Sequence, residues 1–280
     1  MKSVGIIGAG TMGQGIAQVA ALSDFKVLIH DSSNSASENV VQKITEQLKK
    51  GIKRGKLDES KMEETIRNIS LVDSLDHLKA DLIIEAIVED LAIKQQVLKK
   101  VQEINGASAM VVSNTSSIPI TRIARTLPYP EQFAGLHFFN PAHIMQLVEV
   151  IKGASTSDQT IDRLVRFVKK IDKTAVFAND SPGFIVNRVA RHFYVESLKV
   201  LEDKVAHAET IDRLIESTGF KMGPFRLMDL IGVDTNYKVT TTMYKAFHYD
   251  PKFRPSRIQE SKVDAGEWGR KSGRGFYSYE

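Results

Sequence analysis

The chain contains no cysteine, and that absence removes disulfides, thiolate metal sites, iron–sulfur clusters and cysteine nucleophiles from consideration. Any redox chemistry must then be carried by a bound coenzyme. Long hydrophobic runs are missing too. The first apolar stretch, Val4 to Ile7, is broken by glycine and is too short for the apolar segment of a signal peptide or for a membrane span. A cytoplasmic location without a membrane partner is expected. Charge of one sign is not in large excess: 38 Lys and Arg against 34 Asp and Glu leave a formal +4, and no nucleic-acid partner is expected. No two of the seven histidines stand at a metal-ligand spacing, so no metal is expected.

What is there is a 280-residue chain, 42% hydrophobic and 26% charged, the composition of an ordinary globular protein of one large or two modest domains. Its first half alternates short apolar runs with longer amphipathic stretches. Val4 to Ile7, Lys26 to His30, Leu82 to Glu85, Met110 to Ser113, Ala134 to His137 and Leu147 to Ile151 read as strands. Met12 to Ser23, Leu91 to Ile104 and Asp158 to Ile171 read as helices. This rhythm predicts a Rossmann-type α/β domain with a mainly parallel, doubly wound sheet. A long polar segment over 35–68 carries Val41, Ile44, Leu48 and Ile52 at helical spacing and reads as an inserted helical hairpin. After Ser181-Pro182-Gly183 the strand-like runs stop, and Phe184 to Asp203, Ala208 to Ser217, Leu227 to Phe247 and Ser256 to Ala265 read as helices. The expected boundary gives a sheet domain over 1–183 and an all-α domain over 184–280.

The segment Gly8-Ala9-Gly10-Thr11-Met12-Gly13 fits the pattern G-x-G-x-x-G, which alone is weak evidence. Its context is specific: it leaves the strand Val4 to Ile7 directly and opens a helix. Gly8 permits the tight turn, Gly10 lets a pyrophosphate approach the backbone, and Gly13 lets the helix pack on the strand. The pyrophosphate would sit on the helix N-terminus, where N–H groups and the macrodipole favour negative charge. The second strand ends at His30-Asp31, where a carboxylate would bond the adenosine ribose hydroxyls and repel a 2′-phosphate. Asp31 thus points to NAD as the cofactor.

Polar residues gather just past later strand ends, where open α/β sheets build their sites. They are Ser113-Asn114-Thr115-Ser116-Ser117 and His137-Phe138-Phe139-Asn140-Pro141, with Glu149 on the strand that follows. A histidine is the natural acid or base near neutral pH, and a carboxylate can fix its tautomer and stabilise its charged form. Taken singly, each has a plainer reading: an N-cap before Ile118, a core histidine, a surface strand residue. The basic run Lys49, Lys50, Lys53, Arg54 and Lys56 likewise reads, on charge alone, as a solvated helix face.

Taken together, these blocks resemble the 3-hydroxyacyl-CoA dehydrogenase family, including its 3-hydroxybutyryl-CoA dehydrogenases. The resemblance extends over nearly the whole chain through Ile6 to Gly13, Ile84 to Glu89, Ser113 to Ser117, Gly135 to Pro141, Leu147 to Val150, Asp180 to Arg188, Met222-Gly223-Pro224 and Gly273 to Tyr277. It implies that His137 is the general base for the substrate 3-hydroxyl, oriented by Glu149, and that Ser116 and Asn187 hold the substrate oxygen. It places Thr11, Met12, Glu89, Lys94 and Asn114 beside the cofactor, and Lys50 and Arg54 near the phosphates of an acyl-CoA substrate. It makes the helical domain the dimerisation surface of a homodimer. One departure is Ala142-His143-Ile144, where many relatives carry more apolar or proline-containing sequence. Two competing readings are a dehydrogenase of a free hydroxy or sugar acid and a non-catalytic NAD-binding structural protein. The joint presence of Ser116, His137, Glu149 and Asn187 argues against the second.

Overall fold

The computed structural model describes residues 1–279, with the backbone alone over 34–38. The chain forms two compact units, Met1–Ser181 and the part from Pro182 onward. In the first unit eight strands make one sheet: β1 (Ser3–Ile7), β2 (Lys26–His30), β3 (Ile69–Leu71), β4 (Leu82–Glu85), β5 (Met110–Ser113), β6 (Phe133–Phe138), β7 (Leu147–Lys152) and β8 (Thr174–Asn179), in the order β3-β2-β1-β4-β5-β6-β7-β8. All neighbours are parallel except β6 and β7, which run antiparallel. Helices α1 (Thr11–Leu22), α2 (Asn34–Lys53), α3 (Glu59–Arg67), α4 (Leu91–Asn105), α5 (Ile120–Ala124) and α6 (Asp158–Lys170) connect the strands.

The burial pattern explains which strands the sequence reveals. β4, β5 and β6 are buried at every position, as expected of parallel strands covered on both faces, so they appear as continuous apolar runs. The two edge strands do not. β3 has three residues, of which only Ile69 is buried, and β8 exposes Thr174, Phe177 and Asn179. Both escape the sequence pattern for that reason. Helix starts follow local chemistry: the carboxylate of Asp90 accepts the Ile93 N–H at the start of α4, and the Ser157 hydroxyl accepts the Thr160 N–H at the start of α6. The segment expected to form a hairpin is α2 and α3, and Val40, Ile44 and Leu48 of α2 enter the main core with Val4, Ile6, Ile29 and Ile84.

The second unit contains α7 (Val186–Glu202), α8 (Ala208–Ser217), α9 (Pro224–Ile231), α10 (Val233–Ala246) and α11 (Arg257–Asp264). The single helix expected over Leu227 to Phe247 is two helices, because Gly232 between them has φ 104°, a conformation no helix interior contains. A small core of Tyr194, Leu198, Ile211, Phe225 and Met228 lies inside. Two buried carboxylates fasten the tail to it. Asp229 accepts the N–H groups of Phe276 and Tyr277 and the Tyr279 hydroxyl, and Asp212 accepts the Tyr277 hydroxyl at 2.7 Å. Among the described residues, no helix is long and apolar enough to cross a membrane.

Candidate active site

The parallel register brings the C-terminal ends of β1, β2 and β4 side by side, with Ile7 opposite His30 on one side and Glu85 on the other. The glycine turn leaves this edge. A Cβ on Gly8 (φ 103°) would lie 2.6 Å from the Ala86 carbonyl oxygen, and one on Gly13 would lie 1.8 Å from the Gly8 oxygen. The chain itself thus demands glycine at both positions. At Gly10 a Cβ would meet nothing within 4 Å, so that glycine answers to something outside the chain. An open cradle at the N-cap of α1, which has no side-chain cap, suits a pyrophosphate on the N–H groups of the first turn, where Thr11 and Met12 stand. The Asp31 carboxylate is fixed beside the turn by the N–H groups of Ala9 (2.7 Å) and Ser33 (2.8 Å). The Gln14 amide closes the turn from the helix side, donating to the Ala9 oxygen at 2.7 Å.

Next along the sheet edge is a buried ionic network. Glu85, fully buried at the end of β4, accepts the Lys94 ammonium at 2.6 Å, the Ile87 N–H at 2.8 Å and the Ser113 hydroxyl at 2.6 Å. Lys94 Nζ also lies 3.3 Å from Glu89. Glu89 in turn accepts the Thr115 hydroxyl (2.5 Å), the N–H groups of Ser116 and Ser117 (both 3.2 Å) and the Ser117 hydroxyl (2.9 Å). One carboxylate therefore shapes the loop that carries Ser116. Burial, the largest single influence, pushes the Glu89 carboxyl up. The Lys94 charge and the hydrogen bonds of Thr115, Ser117 and Lys94 together outweigh it and hold the group below its ordinary value.

The antiparallel pair β6 and β7 sets His137 directly opposite Glu149. Their side chains meet, Nδ1 to Oε2, at 2.7 Å, with His137 6% exposed and Glu149 fully buried. An ionised carboxylate can only accept, so Nδ1 carries the proton and the basic lone pair lies on Nε2. The Phe139 ring packs against the imidazole at 4.6 Å between centroids. The Asn114 side-chain oxygen accepts the Phe138 N–H at 2.8 Å and ties the end of β5 to the end of β6.

The first unit thus gathers Gly8, Gly10, Thr11, Met12, Gly13, Asp31, Glu89, Lys94, Asn114, Ser116, His137 and Glu149 along the C-terminal edge of the parallel strands. Lys94 is almost fully buried, and its described partners are the carboxylates of Glu85 and Glu89. Lys50 and Arg54 lie exposed at the C-terminal end of α2, and among the described residues neither forms an ion pair. Asn187 is the second residue of α7 in the other unit and is half-buried. Sequence reasoning assigned no role to Glu85. Its one signal is an acid closing an otherwise apolar strand, Leu82-Ile83-Ile84-Glu85.

Residues 3–181 match the family described as "3-hydroxyacyl-CoA dehydrogenase, NAD binding domain", and residues 183–279 match its C-terminal domain. The chain is 41% identical over its full length to the 3-hydroxyadipyl-CoA dehydrogenase of Escherichia coli, of which it spans 59%. It is 38% identical to a probable 3-hydroxybutyryl-CoA dehydrogenase of Bacillus subtilis, covering all of this chain and 98% of that one. The crystal structure of (S)-3-hydroxybutyryl-CoA dehydrogenase from Ralstonia eutropha superposes with a TM-score of 0.95 at 39% identity, covering 100% of this chain and 99% of that one. The glycine turn, the sheet order and both matched domains converge: the chain belongs to the 3-hydroxyacyl-CoA dehydrogenase family and is an NAD-dependent oxidoreductase.

Proposed function

We propose that this enzyme interconverts a 3-hydroxyacyl-CoA of the 3-hydroxybutyryl-CoA type and the corresponding 3-oxoacyl-CoA, with His137 and Glu149 as its acid–base dyad. The observation that carries the reading is the buried 2.7 Å contact between the two, cross-strand partners in the sheet. In the oxidative direction His137 Nε2 takes the proton of the 3-hydroxyl as the C3–O bond becomes a carbonyl and the C3 hydrogen leaves with its electron pair. NAD supplies the hydride acceptor. Glu149 holds the productive tautomer and stabilises the imidazolium that forms, an interaction strengthened by exclusion of water. Ser116 and Asn187 donate hydrogen bonds to the substrate oxygen, which carries more negative charge in the transition state than in the carbonyl.

Gly8, Gly10, Gly13, Thr11 and Met12 receive the pyrophosphate, and Asp31 receives the adenosine ribose. Glu89, Lys94 and Asn114 order the loops beside the nicotinamide end. A CoA ester, rather than a free hydroxy acid, is favoured by the exposed Lys50 and Arg54, which form no ion pair among the described residues and would meet the CoA phosphates. The sheet domain over 1–183 binds coenzyme, and the helical domain over 184–280 takes part in binding substrate and joins two chains into a homodimer. Its exposed Val189, Val205, Leu214 and Phe220 support that role. A cytoplasmic location is part of the same reading.

Acetoacetyl-CoA-dependent oxidation of NADH, measured beside free 3-hydroxybutyrate with NAD, tests the reading. Turnover of the CoA ester is expected, with kcat falling about 10²–10⁴-fold in His137→Gln. Turnover of the free acid alone would overturn the substrate assignment. An unchanged rate in His137→Gln would overturn the dyad.

A further inference from the structure

The second unit buries a cation that the chemistry above does not use. Arg191, 3% exposed, lies in α7 one turn beyond Asn187. Residues four apart stand one above the other on a helix, and their side chains lean toward its N-terminus. Arg191 is therefore on the Asn187 face. Its partners place the guanidinium more closely: Nη1 donates to the Thr240 hydroxyl at 2.7 Å and to the backbone and side-chain oxygens of Asn236 at 3.0 and 3.1 Å, all in α10. Farther along α10, Met243 lies at Gly183, where an added Cβ would be 2.8 Å from its Cε. α10 thus runs past the start of α7 in the opposite direction, and the Thr240 contact holds the guanidinium beside the first turns of α7.

Every one of these acceptors is neutral. Nε is buried without a partner, Cζ stands 5.0 Å from the centre of the Tyr194 ring, and among the described residues Arg191 forms no ion pair with a carboxylate. Burial pushes the guanidinium down to about 10, so it is charged at neutral pH. Buried charges are ordinarily paired, because taking one out of water without a counter-charge is costly. Fastening α7 to α10 does not demand that cost, since a neutral amide donor could make the Thr240 contact.

An uncompensated cation has a use where negative charge develops during turnover. Such charge develops on the substrate oxygen to which Asn187 donates in the proposed function, and this inference rests on that reading. In a buried setting a charge acts over several ångströms with little screening. The macrodipole of α7, positive at the end where Asn187 stands, acts in the same sense. We propose that Arg191 is a positioning residue for the reaction: it fixes the turn of α7 that carries Asn187, and its uncompensated charge favours the negative oxygen that Asn187 binds. The effect grows as the oxygen becomes negative, so it raises kcat more than it tightens substrate binding.

Reduction of acetoacetyl-CoA by NADH tests this in Arg191→Gln, which keeps an amide donor and loses the charge, and in Arg191→Lys, which keeps the charge. In the glutamine variant kcat is expected to fall about tenfold or more, with KM for acetoacetyl-CoA within about twofold of the unsubstituted value, and the lysine variant should recover most of the loss. Thr240→Asp cancels the charge with Arg191 in place, by setting a carboxylate against it, and kcat should fall there about tenfold as well. Circular dichroism should show the same helix content in all four proteins, and if the glutamine variant does not fold, Thr240→Asp carries the comparison. Full kcat in either charge-cancelling variant, a lysine variant as slow as the glutamine one, or a loss confined to KM overturns the inference and leaves the dehydrogenase reading untouched. An unsubstituted enzyme that does not reduce acetoacetyl-CoA overturns the substrate reading, and this inference with it.

Discussion

The three glycines of the phosphate turn obey different constraints, and substitution separates them. Gly10→Ala places its methyl in open space at φ −69°, so stability should change by no more than about 0.5 kcal/mol. The methyl occupies the place a pyrophosphate needs, and KM for NAD should rise about tenfold or more. Gly13→Ala drives a methyl into the Gly8 carbonyl and should cost about 3 kcal/mol of stability. Urea denaturation beside coenzyme kinetics distinguishes the two, and the reverse ranking would refute the assignment. Glu89 makes a second residue-scale prediction. Its carboxyl is held below its ordinary value of 4.5 in the folded chain. The folded state therefore binds fewer protons there than the unfolded state. The stabilisation is fully present above about pH 4.5 and is lost as pH falls through the lower folded value. Glu89→Gln should flatten the stability profile below pH 4.5, and an unaltered profile would show that the loop does not depend on this charge.

At the scale of elements, what the sequence reveals depends on burial. Strands β1, β2, β4, β5 and β7 stand out because Ile, Val and Leu make up most of their buried positions, and β6 because Phe133, Ala134, Leu136 and Phe138 are buried. The edge strands β3 and β8 lack a covered face along their length and leave no such trace. The pairing of His137 with Glu149 was legible only through family resemblance. Physically it arises from an antiparallel register between β6 and β7 that no local pattern encodes. Glu85 stayed unassigned because its partners Lys94 and Ser113 are 9 and 28 residues away. The helix break at Gly232 was hidden for a related reason: apolar residues such as Met228, Val233 and Met243 continue through it, and periodicity registers burial rather than backbone dihedrals. The tail is likewise held by distant residues. Asp229→Ala would remove the acceptor of the Phe276 and Tyr277 N–H groups and the Tyr279 hydroxyl. A loss of about 3 kcal/mol is expected, against about 1 kcal/mol for Tyr279→Phe, measured by chemical denaturation. Equal small losses would mean that the tail is held by its aromatic packing instead.

At the scale of the whole molecule, the two units differ in what they leave exposed. In the first, Lys50 and Arg54 at the end of α2 are exposed and, among the described residues, form no ion pair. In the second, Val189, Val205, Leu214, Phe220, Leu230 and Ile231 are each between 44% and 74% exposed. Six large apolar side chains on a unit of fewer than 100 residues are more than a solvated helical core requires, and burying them against a second copy lowers the free energy through the hydrophobic effect. The proposed homodimer follows from that surplus. Sedimentation velocity should find a species of two chains at micromolar concentration. Leu214→Glu combined with Phe220→Ser should shift it to one chain, with the helical signal in circular dichroism retained because both residues lie outside the buried core of the second unit. A single chain in the unsubstituted protein, or a dimer that survives the double substitution, would exclude this apolar surface as the contact.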